Sequence, residues 1–205
     1  MQSKPFEIEV DVMKEGNQPF VIAISGVSGG GKTTIAKHLN DRLSNSKTNS
    51  KTLFFDDYDF DGPNDIIHWV DNGANYDEWN LDPFITDIKK LLSEPLDFIV
   101  LDYPFAYKHA KTSQLIDLAV YIDTPLDIAM ARRVIRDFKN SSHERILIEM
   151  ENYISQGRRG YLEMLKTIKP NSDIIVDGTF SISKIVNEIY DEILRLFSKT
   201  LLPFK

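Results

Sequence analysis

The sequence predicts a three-layer α/β domain: a central five-stranded parallel sheet between helical layers, completed by a helical lid. Three observations carry this. Five short apolar runs, Phe20–Ser25, Lys51–Phe55, Phe98–Leu101, Ala119–Asp123 and Ile174–Val176, alternate with stretches of helical character. Such runs suit strands buried on both faces, joined by right-handed crossovers. The chain of 205 residues is 42% hydrophobic, enough for one domain with a core that needs neither disulfides nor metal. The first run opens directly into a turn far richer in glycine than a strand-to-helix connection requires.

In chain order, residues 1–19 form an N-terminal extension in which "FEIEVDVM" alternates apolar and charged residues as a short edge strand would, before a Gly16-Asn17 turn. Residues 20–205 make a single domain. Its first strand leads into "ISGVSGGGKTT", Ile24 to Thr34, and a helix from Gly31 to Leu43. The second strand enters a loop-rich segment, followed by a helix near Pro83–Leu92 and the third and fourth strands. A helix from Pro125 to Phe138 and one long helix from Ser142 to Met164 place the lid at about residues 136–165, and the fifth strand and a helix over Ser181–Phe197 close the domain.

No cysteine is present, which excludes a thiol nucleophile, a cysteine zinc site and any disulfide frame. The net charge of −7 disfavours nucleic acid as a partner, so a polyanion must be caught by a local site. There is no signal-peptide pattern and no apolar stretch near ~18 residues, so a soluble, cytoplasmic chain without membrane contact is expected.

The glycine-rich stretch fits G-x-x-x-x-G-K-[ST] through Gly26, Gly31, Lys32 and Thr33. By average composition a chance match is on the order of 10⁻² for a chain of this size. The chemistry is that of phosphate binding, with the backbone N–H groups of Gly26 through Thr34, including Ser28, Gly29 and Gly30, pointing inward at a helix N-terminus. Lys32 is placed to reach the β- and γ-phosphates of a bound nucleotide, and Thr33 to hold Mg²⁺.

Ligands of such sheets sit at the carboxyl ends of the strands. The second strand runs into "FFDDYDFDGPND", where Asp56 comes first and can take a proton from an acceptor hydroxyl or orient it; the alternative is a solvated acidic turn. The third strand ends "FIVLDYPF", and Asp102 has the position of a carboxylate holding Mg²⁺ through water, or of an Asx turn before Pro104. In "NYDEWNLD", Tyr76 and Asp77 suit a ring-and-hydroxyl substrate, although packing aromatics with Asp82 as a helix cap explain the stretch equally well. In "LDIAMARRVIRDF", Arg132 and Arg136 share one helix face, with Arg133 turned away; the pair can stabilise charge on a transferred phosphoryl group or form a solvated salt-bridged face. Arg145, Arg158 and Arg159 follow in the lid, and the four histidines show no metal-ligand spacing.

Taken together, "ISGVSGGGKTT", "FFDDYD", "NYD", "DLAVYIDTPLDIAMARRVIRD" and "SDIIVDG" resemble, in order and spacing, the uridine kinase-like branch of phosphate-loop kinases, over about residues 20–197. The resemblance implies a phosphate-loop NTPase fold and transfer of the ATP γ-phosphate to a hydroxyl of a nucleoside-like small molecule. It also implies Asp56 as the catalytic aspartate, Asp77 as a ribose ligand, and Arg136 and Arg145, with Arg132, as phosphate contacts. The branch's P-x-Y-D hairpin for the nucleobase is absent, since "LLSEPLDFIVLDYPF" goes straight from helix to strand, and "NSSHER" replaces an R-G-R cluster in the lid. A non-nucleoside acceptor is therefore a second expectation. A nucleotide switch is a third: "DFDG" fits D-x-x-G, but no N-K-x-D motif accompanies it.

Overall fold

The computed structural model describes residues 18–46 and 48–200, so the run expected as an edge strand near the N-terminus lies outside the described residues. The elements run β1 (Phe20–Ser25), α1 (Lys32–Ser44), β2 (Ser50–Phe54), α2 (Ile66–Asp71), α3 (Asp82–Leu91), β3 (Phe98–Asp102), α4 (Ala110–Ser113), β4 (Leu118–Asp123), α5 (Leu126–Asp137), α6 (His143–Asn152), α7 (Arg158–Thr167), β5 (Ile174–Asp177) and α8 (Ile182–Thr200). Single 3₁₀ turns cover Phe55–Asp57, Tyr76–Glu78 and Lys169–Asn171.

The five strands pair in the order β2-β3-β1-β4-β5, and every pairing is parallel. Alternation along β1 divides the two layers. Ile22 and Ile24 face α1 and α8, meeting Ile35, Leu39, Ile185 and Ile189. Val21 and Ala23 face the other way, toward α3 and the aromatic loops, where Phe84, Ile88, Tyr103 and Phe105 pack. Burial on both faces explains why β1, β3 and β4 read as nearly unbroken apolar runs. Each fully buried Ile, Leu or Phe of these layers contributes about 1.5–3 kcal/mol.

The expected single helix over Ser142–Met164 is instead α6 and α7 joined by a π-helical turn, Tyr153–Gly157. The wider turn rotates the faces on either side relative to one another, which apolar periodicity alone does not register. The segment before α3, read as loop, contains the short helix α2, started by Asp65, whose side chain accepts hydrogen bonds from the Ile67 and His68 N–H groups. Among the described residues no helix is long and apolar enough to cross a membrane.

Candidate active site

The loop between β1 and α1 winds over the carboxyl ends of β1 and β4. Gly26, Gly29 and Gly31 all take positive φ, at 146°, 77° and 103°. Gly29 has a second reason to be glycine: a Cβ there would overlap the carbonyl of Ala129 in α5, so the loop lies directly against that helix. Thr124, fully buried after β4, donates its hydroxyl to the Gly30 carbonyl at 2.8 Å and fixes the loop from below. α1 starts at Gly31 with no side-chain cap and no acidic residue in its first turn, leaving its N–H groups and positive dipole end to an anion.

Lys32 projects back into the loop, and its ammonium donates to the Val27 carbonyl at 3.3 Å. Burial pushes its pKa below the usual lysine value, while the charges of Asp102 and Asp56 act the other way. The side chain stays reachable from the cavity, where an arriving phosphate would meet its ammonium. Asp102 ends β3, buried to 2% exposure; desolvation raises its pKa, opposed chiefly by Lys32.

The donor set around Asp102 fits Mg²⁺. The Thr33 hydroxyl donates to Asp102 Oδ2 at 2.5 Å, and the buried Oδ1 has no protein partner. A carboxylate oxygen left over beside a hydroxyl suits a cation that keeps most of its waters and takes its remaining ligands from phosphates. The described residues contain no cluster of three or more acidic or histidine groups that could hold a metal by themselves.

Two cavities adjoin beside this loop. The first, about 810 Å³, is lined by the loop, Asp56, Arg132, Arg136 and Asp137. Asp56 stands in the 3₁₀ turn after β2, close enough for its charge to act on both Lys32 and Arg136. Arg132 is anchored by both terminal nitrogens to the Gly178 carbonyl, each at 3.3 Å, and Arg136 pairs with Asp137 at 2.6 Å, which keeps it firmly protonated. The second cavity, about 840 Å³, lies between α2, α5, α6 and α7, and shares Trp79, Phe105, Tyr161 and Met164 as a common wall with the first.

The structure thus gathers Gly26, Ser28, Gly29, Gly31, Lys32, Thr33, Thr34, Asp56, Arg132 and Arg136 into one cavity, with Gly30 and Asp102 immediately behind. Tyr76 lines the second cavity, only 2% exposed, its hydroxyl bonded to Thr167 at 2.8 Å. Asp77 lines neither: its carboxylate accepts from the Ala110 N–H at 2.7 Å. Arg145 lines neither as well; its guanidinium lies 5.8 Å from the centre of the Phe138 ring.

Arg133 turns away from the cavity that Arg132 and Arg136 line and faces the second one, where Glu149 of α6 is its partner. Unexpected as wall residues are Tyr153, Gln156, Gly157, Gly160, Tyr161 and Met164. A signal for them existed: these six recur at helical spacing, one face of the rod, and combine glycines with aromatic rings. Phe105 is carried into the wall by the buried turn after β3, where Ala106 takes a φ of 46°.

A model of the phosphoribulokinase / uridine kinase family matches residues 74–181. The uridine kinase of Halobacterium salinarum is 28% identical over 193 residues, covering 80% of this chain and 83% of that one. Among solved structures, a Bacillus stearothermophilus protein described as a possible uridine kinase superposes with a TM-score of 0.54 at 16% identity, over 78% of this chain and 89% of the other. A gluconokinase from Sinorhizobium meliloti does so with a TM-score of 0.53 at 17% identity, over 90% and 97%. At these identities the solved structures attest the fold.

Proposed function

The chain belongs to the phosphoribulokinase / uridine kinase family and is an ATP-dependent phosphotransferase acting on a hydroxyl group; we propose that ATP enters the phosphate-loop cavity and a nucleoside-like acceptor the aromatic one. The observation that carries this assignment is the shared wall, which sets two cavities of similar size side by side, with the glycine-rich loop and Asp56 lining one and aromatic rings the other.

In this reading the loop N–H groups and the α1 N-terminus hold the phosphates. Asp56 accepts the acceptor hydroxyl proton as the new O–P bond forms and the bond to the leaving ADP oxygen breaks. Lys32, Arg132 and Arg136 offset charge that spreads over the transferring group. Thr33 and Asp102 would hold Mg²⁺, which supplies charge neutralisation between the phosphates. The α6, π-turn and α7 segment acts as the lid expected at about residues 136–165. In support, it roofs the acceptor cavity and pairs to the domain body through Arg133–Glu149 and Arg159–Asp71.

The test is acceptor-dependent ADP release with Mg-ATP across nucleosides and other small alcohols, products identified by mass. In the Asp56→Asn variant turnover falls by about 10²–10⁴ with ATP affinity unchanged. Wild-type turnover in that variant would remove Asp56 from the role.

A further inference from the structure

The acceptor cavity carries more negative than positive side chains. Its charged lining groups, among the described residues, are Asp65, Arg133 and Glu149. Arg133 is the single cation, and it is already engaged. One terminal nitrogen donates to Glu149 Oε1, the other to the Tyr161 hydroxyl at 3.2 Å, and its Nε lies 3.7 Å from Asp137 Oδ2. Two carboxylates therefore share one guanidinium, and both members of the Arg133–Glu149 pair are largely covered, with side chains 23% and 20% exposed. Asp65 remains acidic, its carboxylate accepting the Ile67 and His68 N–H groups.

Six aromatic side chains, Trp69, Tyr76, Trp79, Phe105, Tyr153 and Tyr161, stand in the rest of the wall beside the uncharged amides of Asn64, Asn152 and Gln156. Ring faces carry negative electrostatic potential, so they attract flat neutral rings and cations, while the hydroxyls and amides of the wall are neutral donors that bring no charge to offset an anion's. A phosphate or carboxylate on the acceptor would have to displace Glu149 from Arg133 while facing Asp65, a like-charge arrangement that selects against it.

Resting on the assignment of this cavity to the acceptor, we infer that the acceptor is a ring-bearing alcohol without any anionic group, and that Glu149 enforces this by occupying Arg133. Phosphorylated sugars and hydroxy acids are thereby excluded, and neutral or cationic ring compounds admitted.

The protein provides its own probe. Its two tryptophans both line this cavity, Trp79 on the wall shared with the phosphate-loop cavity, so with that cavity filled by a non-hydrolysable ATP analogue intrinsic fluorescence reports on this one without turnover. The full chain is titrated with a neutral nucleoside, a cationic pyridinium nucleoside, a nucleoside 3′-monophosphate, a pentose phosphate and a hydroxy carboxylate. Expected is binding of the neutral and cationic ring compounds about tenfold or more tighter than of any anion. The Glu149→Gln variant, which frees Arg133, narrows that gap about tenfold. An anion bound by wild-type protein as tightly as the neutral nucleoside, no ring-dependent change in fluorescence, or a folded Glu149→Gln variant with an unchanged gap would overturn the inference. Should that variant fail to fold, the wild-type comparison alone decides. ADP release in the same panel separates the two levels: the expected selectivity with no ADP from any bound ring compound overturns the assignment of the cavity to the acceptor. Fastest ADP release with an anionic acceptor overturns the charge inference and leaves that assignment standing.

Discussion

Replacing Gly29 by alanine tests whether the phosphate loop is braced against α5. Two penalties fall on that substitution. Gly29 sits at φ 77°, and an L-residue held in left-handed backbone costs about 1–2 kcal/mol. Its new Cβ would also meet the Ala129 carbonyl, a backbone atom that moves only if α5 moves, and such overpacking costs about 1–3 kcal/mol. Gly73 isolates the first penalty, for it sits at φ 92° with nothing within 4 Å of where a Cβ would stand. At about 2–4 °C per kcal/mol for a chain of this size, Gly73→Ala lowers the unfolding midpoint by about 2–8 °C, and Gly29→Ala by about 2–12 °C beyond that. Thermal unfolding followed by circular dichroism, with and without Mg-ATP, measures both. Nucleotide should raise the midpoint of wild type and Gly73→Ala but much less that of Gly29→Ala, whose loop can no longer lie against α5. Equal midpoints for the two variants would mean that the contact with Ala129 is not felt. Full protection of Gly29→Ala by nucleotide would mean that the loop geometry is not needed for binding.

Other consequences follow from the same geometry. Asp102→Asn retains an acceptor for the Thr33 hydroxyl but loses the carboxylate charge, so the Mg²⁺ concentration for half-maximal turnover should rise about 10–100-fold; an unchanged Mg²⁺ requirement would remove Asp102 from the metal site. Burial pushes the Tyr76 hydroxyl up to about 12, and burial likewise raises Tyr103 and Tyr121 above the ordinary tyrosine value. The folded state then keeps phenolic protons that the unfolded chain releases near pH 10, so this stability is intact below about pH 10 and is lost as pH rises toward about 12. Unfolding midpoints that stay level through that window would contradict it, and Tyr76→Phe should reduce the slope.

The parallel sheet was legible because its signals are local. Unbroken apolar runs such as Phe98–Leu101 announce burial on both faces, and helical spacing between them announces the crossovers. The phosphate loop was legible for the same reason, since positive φ at Gly29 and Gly31 is a property of single residues. Asp56, Arg132 and Arg136 could be placed as well, because strand ends and helix faces carry their side chains to one edge of the sheet.

Three features were decided only in three dimensions. Helical phase turned Arg133 away from Arg132 and Arg136 but left its surroundings open, and the fold brings it Glu149, sixteen residues away, as its partner. Asp77 had the right neighbours in sequence for a substrate ligand, yet α4 comes back to it and its carboxylate meets the Ala110 N–H, thirty-three residues on. The π-helical turn at Tyr153–Gly157 divides the rod into α6 and α7, and packing against α2 decides that its tyrosine and glycine face lines the second cavity. By itself, the sequence determined the layers of the sheet and the presence of a phosphate site, because backbone conformation and burial pattern answer to residues a few positions apart. The walls and the charge of the second cavity were left to the tertiary structure, because a charged side chain takes the partner that packing brings within reach, and chain spacing does not specify that partner.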